Sequence, residues 1–274
     1  MTPPGGLTIV KIGGGEAINL DGIAEDLASL PDPVIVVHGA NALRDRLAGQ
    51  LGTPRRTITS AAGYSSVYSD DAAIDLLMLA YAGLANKRIV EALQRRGRNA
   101  LGLTGLDGRL IQGRRNQGIR VTEAGKTVMV RDRSGKPRDL NLPLVEMLLS
   151  AGYTPVLTVP LVDESGAAIN AENDDVVALL AARLAPGRIL QLIEAPGLLA
   201  DPADPGSVIP RLTSLALGGL EASAGGRFKR KLHAIGRAFE LGAALVQIGD
   251  GRTAHPIADL LAGAGTTNTR ESAA

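Results

Sequence analysis

Lys11, Gly13, Gly14 and Gly15 sit together at the end of an apolar run, Leu7–Ile12, and residues of these types at this spacing could hold a phosphate. Glycines let the main chain approach an anion closely, and successive backbone N–H groups form an anion-binding concavity. A lysine adds a mobile point charge. The order is not that of the Gly-x4-Gly-Lys phosphate loop, because here the lysine precedes the glycines. On this stretch alone, a plain glycine turn after a strand is an equal reading.

Four further clusters share or border on this character. His38-Gly39-Ala40-Asn41 lies between an apolar strand and a helix, where backbone N–H groups favour anions. His38 itself reads as a packed strand-end histidine. Asn170 and Asp174 stand four apart at a helix entry, where they are either a cap and a dipole complement or a substrate ligand and a lysine anchor. Gly225-Gly226-Arg227-Phe228-Lys229-Arg230-Lys231 puts cations at a helix start, which opposes the helix dipole and points to an anion there. Gly249–Arg252 closes the last strand.

The elements that must position these residues alternate. Strands are predicted at Leu7–Ile12, Val34–His38, Asn99–Leu103, Thr154–Val159, Ile189–Ile193 and Leu245–Ile248. Helices are predicted at Ile18–Leu30, from Gly39 to about Leu51, and at Asp70–Arg96, Leu142–Ala151, Val176–Leu184 and Gly225–Leu241. This rhythm implies an α/β fold with a mostly parallel central sheet and helices on both faces. Ligands of such sheets sit beyond the carboxyl ends of the strands, so the strand-end clusters Lys11–Gly15, His38–Asn41, Asn170–Asp175 and Gly249–Arg252 are candidates for one crevice. Gly105–Leu140 breaks the rhythm with glycine turns and reads as projecting β-hairpins. It is also basic, with Arg109, Arg114, Arg115, Arg120, Lys126, Arg131, Arg133, Lys136 and Arg138 against Glu123, Asp132 and Asp139. Such a run is a solvated face or a dock for an acidic partner. Leu161–Ile169 reads as a further hairpin, and Leu198–Pro210 as a loop.

Composition narrows the classes. A chain of 274 residues can bury a full core. Its net charge of +1 gives no field that would recruit nucleic acid or a membrane surface. Phe, Trp and Tyr make up 2% of it, so a base-stacking surface is not expected. There is no cysteine and there are only three histidines, which leaves no thiolate or histidine-rich metal site. No apolar run spans a bilayer and the start shows no leader pattern, so the expected setting is the cytoplasm.

Taken together, Lys11-Ile-Gly-Gly, Val37-His-Gly, Asn170-x-x-x-Asp174 and Gly226…Lys231-Leu resemble the amino acid kinase family over nearly the whole chain. Within it they are most similar to the acetylglutamate kinases. Gly63-Tyr-Ser-Ser, Asn99–Gly108 and Phe228-Lys-Arg-Lys-Leu resemble the branch that acts on α-aminoadipate linked to an acidic carrier protein of the LysW type.

The resemblance implies a three-layer αβα sandwich. Residues 1–169 would form the lobe for the acyl acceptor and for dimerisation, and 170–274 the ATP lobe. It implies transfer of the γ-phosphoryl of ATP, with Mg2+ on the nucleotide phosphates and no metal held by the protein, to a side-chain carboxylate. By the same resemblance, Lys11 and Lys231 flank the phosphoryl and Asp174 holds both. Gly13, Gly14, Gly39 and Ala40 donate N–H groups. Ser66, Val67 and Asn170 line the acceptor, and Glu194 and Lys229 contact ATP. A homodimer is implied too. The alternatives are a kinase of free N-acetylglutamate and a non-catalytic nucleotide-binding homologue.

Two departures bear on the substrate. The family's usual His-Gly-Gly-Gly is His38-Gly-Ala-Asn41 here. The branch pattern Gly-x-x-Ser-Arg-x-Thr-Asp is Gly63-Tyr-Ser-Ser-Val67-Tyr-Ser-Asp70, which puts Val67 where an arginine would grip a carboxylate. Either another group, such as Arg55, Arg56 or Ser66, replaces it, or the substrate lacks a free carboxylate there. A milder change puts Leu192-Ile-Glu194-Ala in place of Leu-Ser-Asp-Val.

Overall fold

The computed structural model describes residues 6–53, 56–59, 65–123, 126–201, 203–213, 217–219, 236 and 245–269. The first half runs β1 (Thr8–Ile12), α1 (Leu20–Ser29), β2 (Val34–His38), α2 (Asn41–Gln50), β3 (Thr57–Thr59), β4 (Ser65–Val67), α3 (Asp71–Leu77), a π-helix (Met78–Ala85), α4 (Asn86–Gln94) and β5 (Ala100–Thr104). Four strands follow, β6 (Ile111–Arg115), β7 (Ile119–Glu123), β8 (Lys126–Val130) and β9 (Gly135–Leu140), then α5 (Leu142–Ser150) and β10 (Thr154–Thr158). The rest is β11 (Leu161–Val162), β12 (Ala168–Ile169), α6 (Asn173–Leu184), β13 (Arg188–Ile193), β14 (Arg211–Thr213), β15 (Leu245–Asp250), α7 (Pro256–Leu261) and β16 (Thr266–Thr269).

Eight strands form the main sheet, in the order β14-β16-β15-β13-β1-β2-β10-β5. All neighbouring pairs are parallel except β15–β16. Its central strands are buried on both faces, as their continuous aliphatic runs require. One face packs Ile9, Val37, Leu157, Ile189 and Ile248 against α6 residues such as Val177 and Leu180. The other packs Val10, Val36, Val156 and Leu190 against Ile23 and Leu27 of α1, Leu93 of α4 and Leu260 of α7. This is the expected αβα sandwich.

The basic region folds as anticipated. β6 pairs antiparallel with β9, and β7 with β8. Leu161–Ile169 is the expected hairpin, and β11 also joins β6 in parallel.

Other elements differ from the sequence reading. Asp70–Arg96 is not one α-helix: a π-helical segment, Met78–Ala85, separates α3 from α4. β14 and β16 extend the sheet beyond β15, and β3 pairs with β4. These short polar strands carry little hydrophobic alternation to announce them. Of the helix expected at 225–241, all but residue 236 lies outside the described residues.

Candidate active site

The parallel register aligns the carboxyl ends of the central strands. Ile12 pairs with His38 on one side and Leu192 on the other, and Leu192 pairs with Gly249. Hydrogen bonds then lace the turns that follow. Gly13 N–H donates to Leu192 O at 2.8 Å, Gly39 N–H to Ile12 O at 3.0 Å, and Gly251 N–H to Ile193 O at 2.7 Å. Ala42 N–H donates to Gly14 O at 2.9 Å. The amides of Gly13 and Gly39 thus donate to sheet carbonyls. Their glycine character serves close packing. A Cβ on Gly14 would fall 2.6 Å from Asn41 N and 2.7 Å from Ala40 N, and one on Gly39 would stand 3.1 Å from Gly14 N. The first two turns interlock, and Gly39 leaves the Gly14 amide uncovered.

Lys11 lies at the core of this arrangement. Its side chain is 10% exposed, and its Nζ stands 3.0 Å from Oδ1 of Asp174, which is 22% exposed. Asp174 sits in the first turn of α6, where the helix dipole favours a carboxylate. Strand and helix, 163 residues apart in sequence, thus meet through the pair that the family resemblance implied.

Glu194 follows β13 and reaches across to the glycine turn. Its Oε1 accepts the Ala17 N–H at 2.7 Å, and its carboxylate lies where a Cβ on Gly15 would be. At the end of β15, Arg252 grips Asp250 with two hydrogen bonds of 2.7 and 2.8 Å. The Arg252 guanidinium holds the Asp250 carboxyl below its ordinary range.

His38 is fully buried. Asn86 Nδ2 approaches its Nε2 at 3.1 Å and also donates to Val156 O at 2.9 Å. With an amide donor at Nε2, the ring proton belongs on Nδ1, 3.3 Å from Gly39 O. Burial pushes the imidazole down to about 4. His38 is thus a neutral strut under the second turn, as the sequence reading held. Tyr81, carried by the π-helix, donates from its hydroxyl to Asn41 Oδ1 at 2.5 Å. Burial pushes its phenol pKa up, against the Arg44 charge and an Ala40 backbone hydrogen bond.

Asn170 ties the basic region to the loop before α3. Its Nδ2 donates to Ser69 Oγ at 3.1 Å, its N–H to Arg133 O at 2.8 Å, and its carbonyl accepts from Gly135 N–H at 2.8 Å. Asp132 is the buried centre of this seam. Its Oδ2 accepts from Ser69 N–H at 3.0 Å, and its Oδ1 from Ser134 N–H and Oγ at 2.9 and 2.6 Å. Sequence reasoning counted Asp132 only as a counter-charge. The Asp-x-Ser spacing, which lets a carboxylate cap the backbone two residues on, was the missed signal. Arg133 pairs with Asp71 at 2.7 Å, and the Arg56 guanidinium lies 4.8 Å over the Tyr68 ring. Val67 pairs with Thr57 in the small sheet, with Ser66 beside it facing Ile58 in register.

A lysine and a helix-borne carboxylate thus meet among interlocked glycine turns at the strand ends. The model of the amino acid kinase family matches residues 6–249. The chain belongs to that family. The LysW-aminoadipate kinases of Deinococcus radiodurans and Thermus thermophilus are both 38% identical to this amino acid kinase, over 95% of its length and over 90% and 99% of theirs. An acetylglutamate kinase of Anaeromyxobacter dehalogenans is 32% identical, over 75% of this chain and 77% of that one. In fold, this kinase superposes on Neisseria gonorrhoeae N-acetylglutamate synthase with a TM-score of 0.79 at 20% identity, covering 98% of this chain and 60% of that one. Giardia carbamate kinase matches with a TM-score of 0.67 at 13% identity, over 98% and 100%.

Among the site residues of the kinase, the structure brings together Lys11, Gly13, Gly14, Gly39, Ala40, Asp174 and Glu194. Asn170 lies on the seam described above. Arg55, Lys229 and Lys231 lie outside the described residues.

Proposed function

We propose that this kinase transfers the γ-phosphoryl of ATP to the side-chain carboxylate of an α-aminoadipate or glutamate whose amino group is linked to an acidic carrier protein. The observation that carries the reading is the Lys11–Asp174 pair at the glycine turns of a chain so similar, along its whole length, to LysW-aminoadipate kinases.

One carboxylate oxygen attacks the γ-phosphorus, the bond from phosphorus to the β–γ bridging oxygen breaks, and ADP leaves with that electron pair. The products are an acyl phosphate and ADP. A carboxylate is already ionised at neutral pH, so no general base is needed; the work is positioning and neutralising charge. Lys11, steadied by Asp174, meets the equatorial oxygens, and Lys231 supplies the second cation. Gly14 N–H adds a donor, and Glu194 and Lys229 border the nucleotide. Residues 1–169 hold the acceptor and residues 170–274 hold ATP. Mg2+ on the nucleotide phosphates belongs to this reading through the family resemblance. There it would supply charge neutralisation.

The basic region gives the carrier a surface. Arg114, Arg115, Arg120, Arg131, Lys136 and Arg138 are exposed there, beside Val128 at 37% and Met129 at 57% exposure. Acidic side chains would meet the cations, and an apolar contact would meet the hairpin. A cytoplasmic homodimer belongs to the same reading through the family resemblance.

The experiment is steady-state kinetics of Arg114→Glu/Arg115→Glu. The expected result is a KM raised about tenfold or more for a carrier-linked acceptor and unchanged for a free N-acetylated one. An unchanged KM for both contradicts the docking surface.

A further inference from the structure

One row of in-register residues crosses five strands of the main sheet: Leu157, Val37, Lys11, Gln191 and Ile248. In-register residues of parallel strands share a face, so these side chains stand side by side, with backbones about 4.8 Å apart. The row is apolar except at its centre, where Lys11 and Gln191 are neighbours. Leu157, Val37 and Ile248 belong to the core face that α6 covers, and α6 carries Asp174.

Gln191 is 2% exposed, and its Oε1 is buried without a hydrogen-bond partner. A buried carbonyl left unmatched is costly, and an aliphatic residue here would complete the apolar row. Its neighbour holds the matching donors. A lysine ammonium has three N–H groups. Asp174 Oδ1 stands 3.0 Å away as the ion-pair partner, and under the phosphoryl-transfer reading, on which this inference rests, a phosphoryl oxygen takes one of these donors. In a site so nearly closed to water, a remaining N–H needs a protein acceptor. A neutral amide suits the place, since a second carboxylate would cancel the charge that the phosphoryl group requires.

We propose that Gln191 is a positioning residue, whose Oε1 is the second protein acceptor of the Lys11 ammonium when the phosphoryl group is engaged. Rotation about the glutamine's own side-chain torsions makes the bond, so no backbone moves.

The test compares the full-length protein with Gln191→Met, a near-isostere without the acceptor. The readouts are kcat, KM for ATP, melting temperature and the 15N–1H signal of the Lys11 ammonium. That signal is assigned with Lys11→Arg and recorded with the magnesium complex of a non-hydrolysable ATP analogue. The expected result is kcat lower by about tenfold, KM for ATP within about twofold, a melting temperature no lower than wild type, and a Lys11 signal lost to faster exchange. An unchanged Lys11 signal, or an unchanged kcat, overturns the proposal. If wild type phosphorylates no acceptor, the transfer reading fails, and the Lys11 signal alone decides the anchor: loss in Gln191→Met supports it and persistence overturns it. If Gln191→Met does not fold, Gln191→Glu, which keeps an acceptor, decides in its place: a retained Lys11 signal supports the anchor and a lost one overturns it.

Discussion

The Lys11 ammonium stands 3.0 Å from the Asp174 carboxylate, one on a central strand of the sheet and the other in the first turn of the helix that covers it. The pair joins the two lobes proposed to hold acceptor and nucleotide. Asp174→Asn keeps the shape and removes the charge that steadies Lys11. It should lower kcat by about 100-fold to 1,000-fold, with Lys11→Met at least as severe. The double variant should be little worse than Lys11→Met, because the two residues act as a unit. Single-turnover phosphoryl transfer measures all three.

The glycine turns make a prediction that separates neighbours. At Gly14 a Cβ meets backbone, 2.6 Å from Asn41 N, and neither turn can yield cheaply. Gly14→Ala should cost about 1–3 kcal/mol of stability and abolish nucleotide binding. At Gly15 the three atoms nearest the Cβ all belong to the Glu194 carboxylate, the far end of a flexible side chain. Gly15→Ala should fold with a near wild-type melting temperature. Thermal melts and ATP titrations of the two variants check the contrast.

Much of this site was legible in the sequence, because its parts are local. Lys11 and the glycines declare themselves by following an aliphatic strand, and Asp174 by opening a helix four residues after Asn170. The βα rhythm placed them at one edge of a parallel sheet. What could not be read was assembled over long range. The bond from Ser69 N–H to Asp132 spans 63 residues of sequence, so only the fold brings it about. The π-helix keeps Ile74, Leu77 and Tyr81 buried at spacings that an α-helix also satisfies, so hydrophobic period could not reveal it. Glycine motifs likewise announced an anion cradle without telling which amides the sheet itself consumes.

His38 carries a pH dependence. Its pKa in the fold is about 4, against 6.5 for a free imidazole, so the unfolded chain binds the extra proton between these values. Its contribution is fully present above about pH 6.5 and is lost as pH falls toward 4, amounting to about 3 kcal/mol over that window. Denaturant unfolding from pH 7 to pH 4 should show the decline. His38→Gln should flatten it relative to wild type.

The Asp132 seam predicts a local effect. Asp132→Ala leaves the Ser69 N–H and the Ser134 donors without their acceptor, a loss of about 2–3 kcal/mol. Hydrogen exchange should quicken around residues 67–70 and 131–135 before the main sheet is affected. KM for the acceptor should rise more than KM for ATP, because the seam carries Asn170 and adjoins Val67.

Hydroxylamine trapping of acyl phosphate with Mg-ATP tests the central claim most directly. The acceptors are aminoadipate and glutamate, each linked to the acidic carrier or free as the N-acetyl form. The account predicts hydroxamate from a carrier-linked acceptor and little from either free one. Hydroxamate from free N-acetylglutamate at sub-millimolar KM would contradict the carrier assignment, and silence from all four would contradict phosphoryl transfer itself.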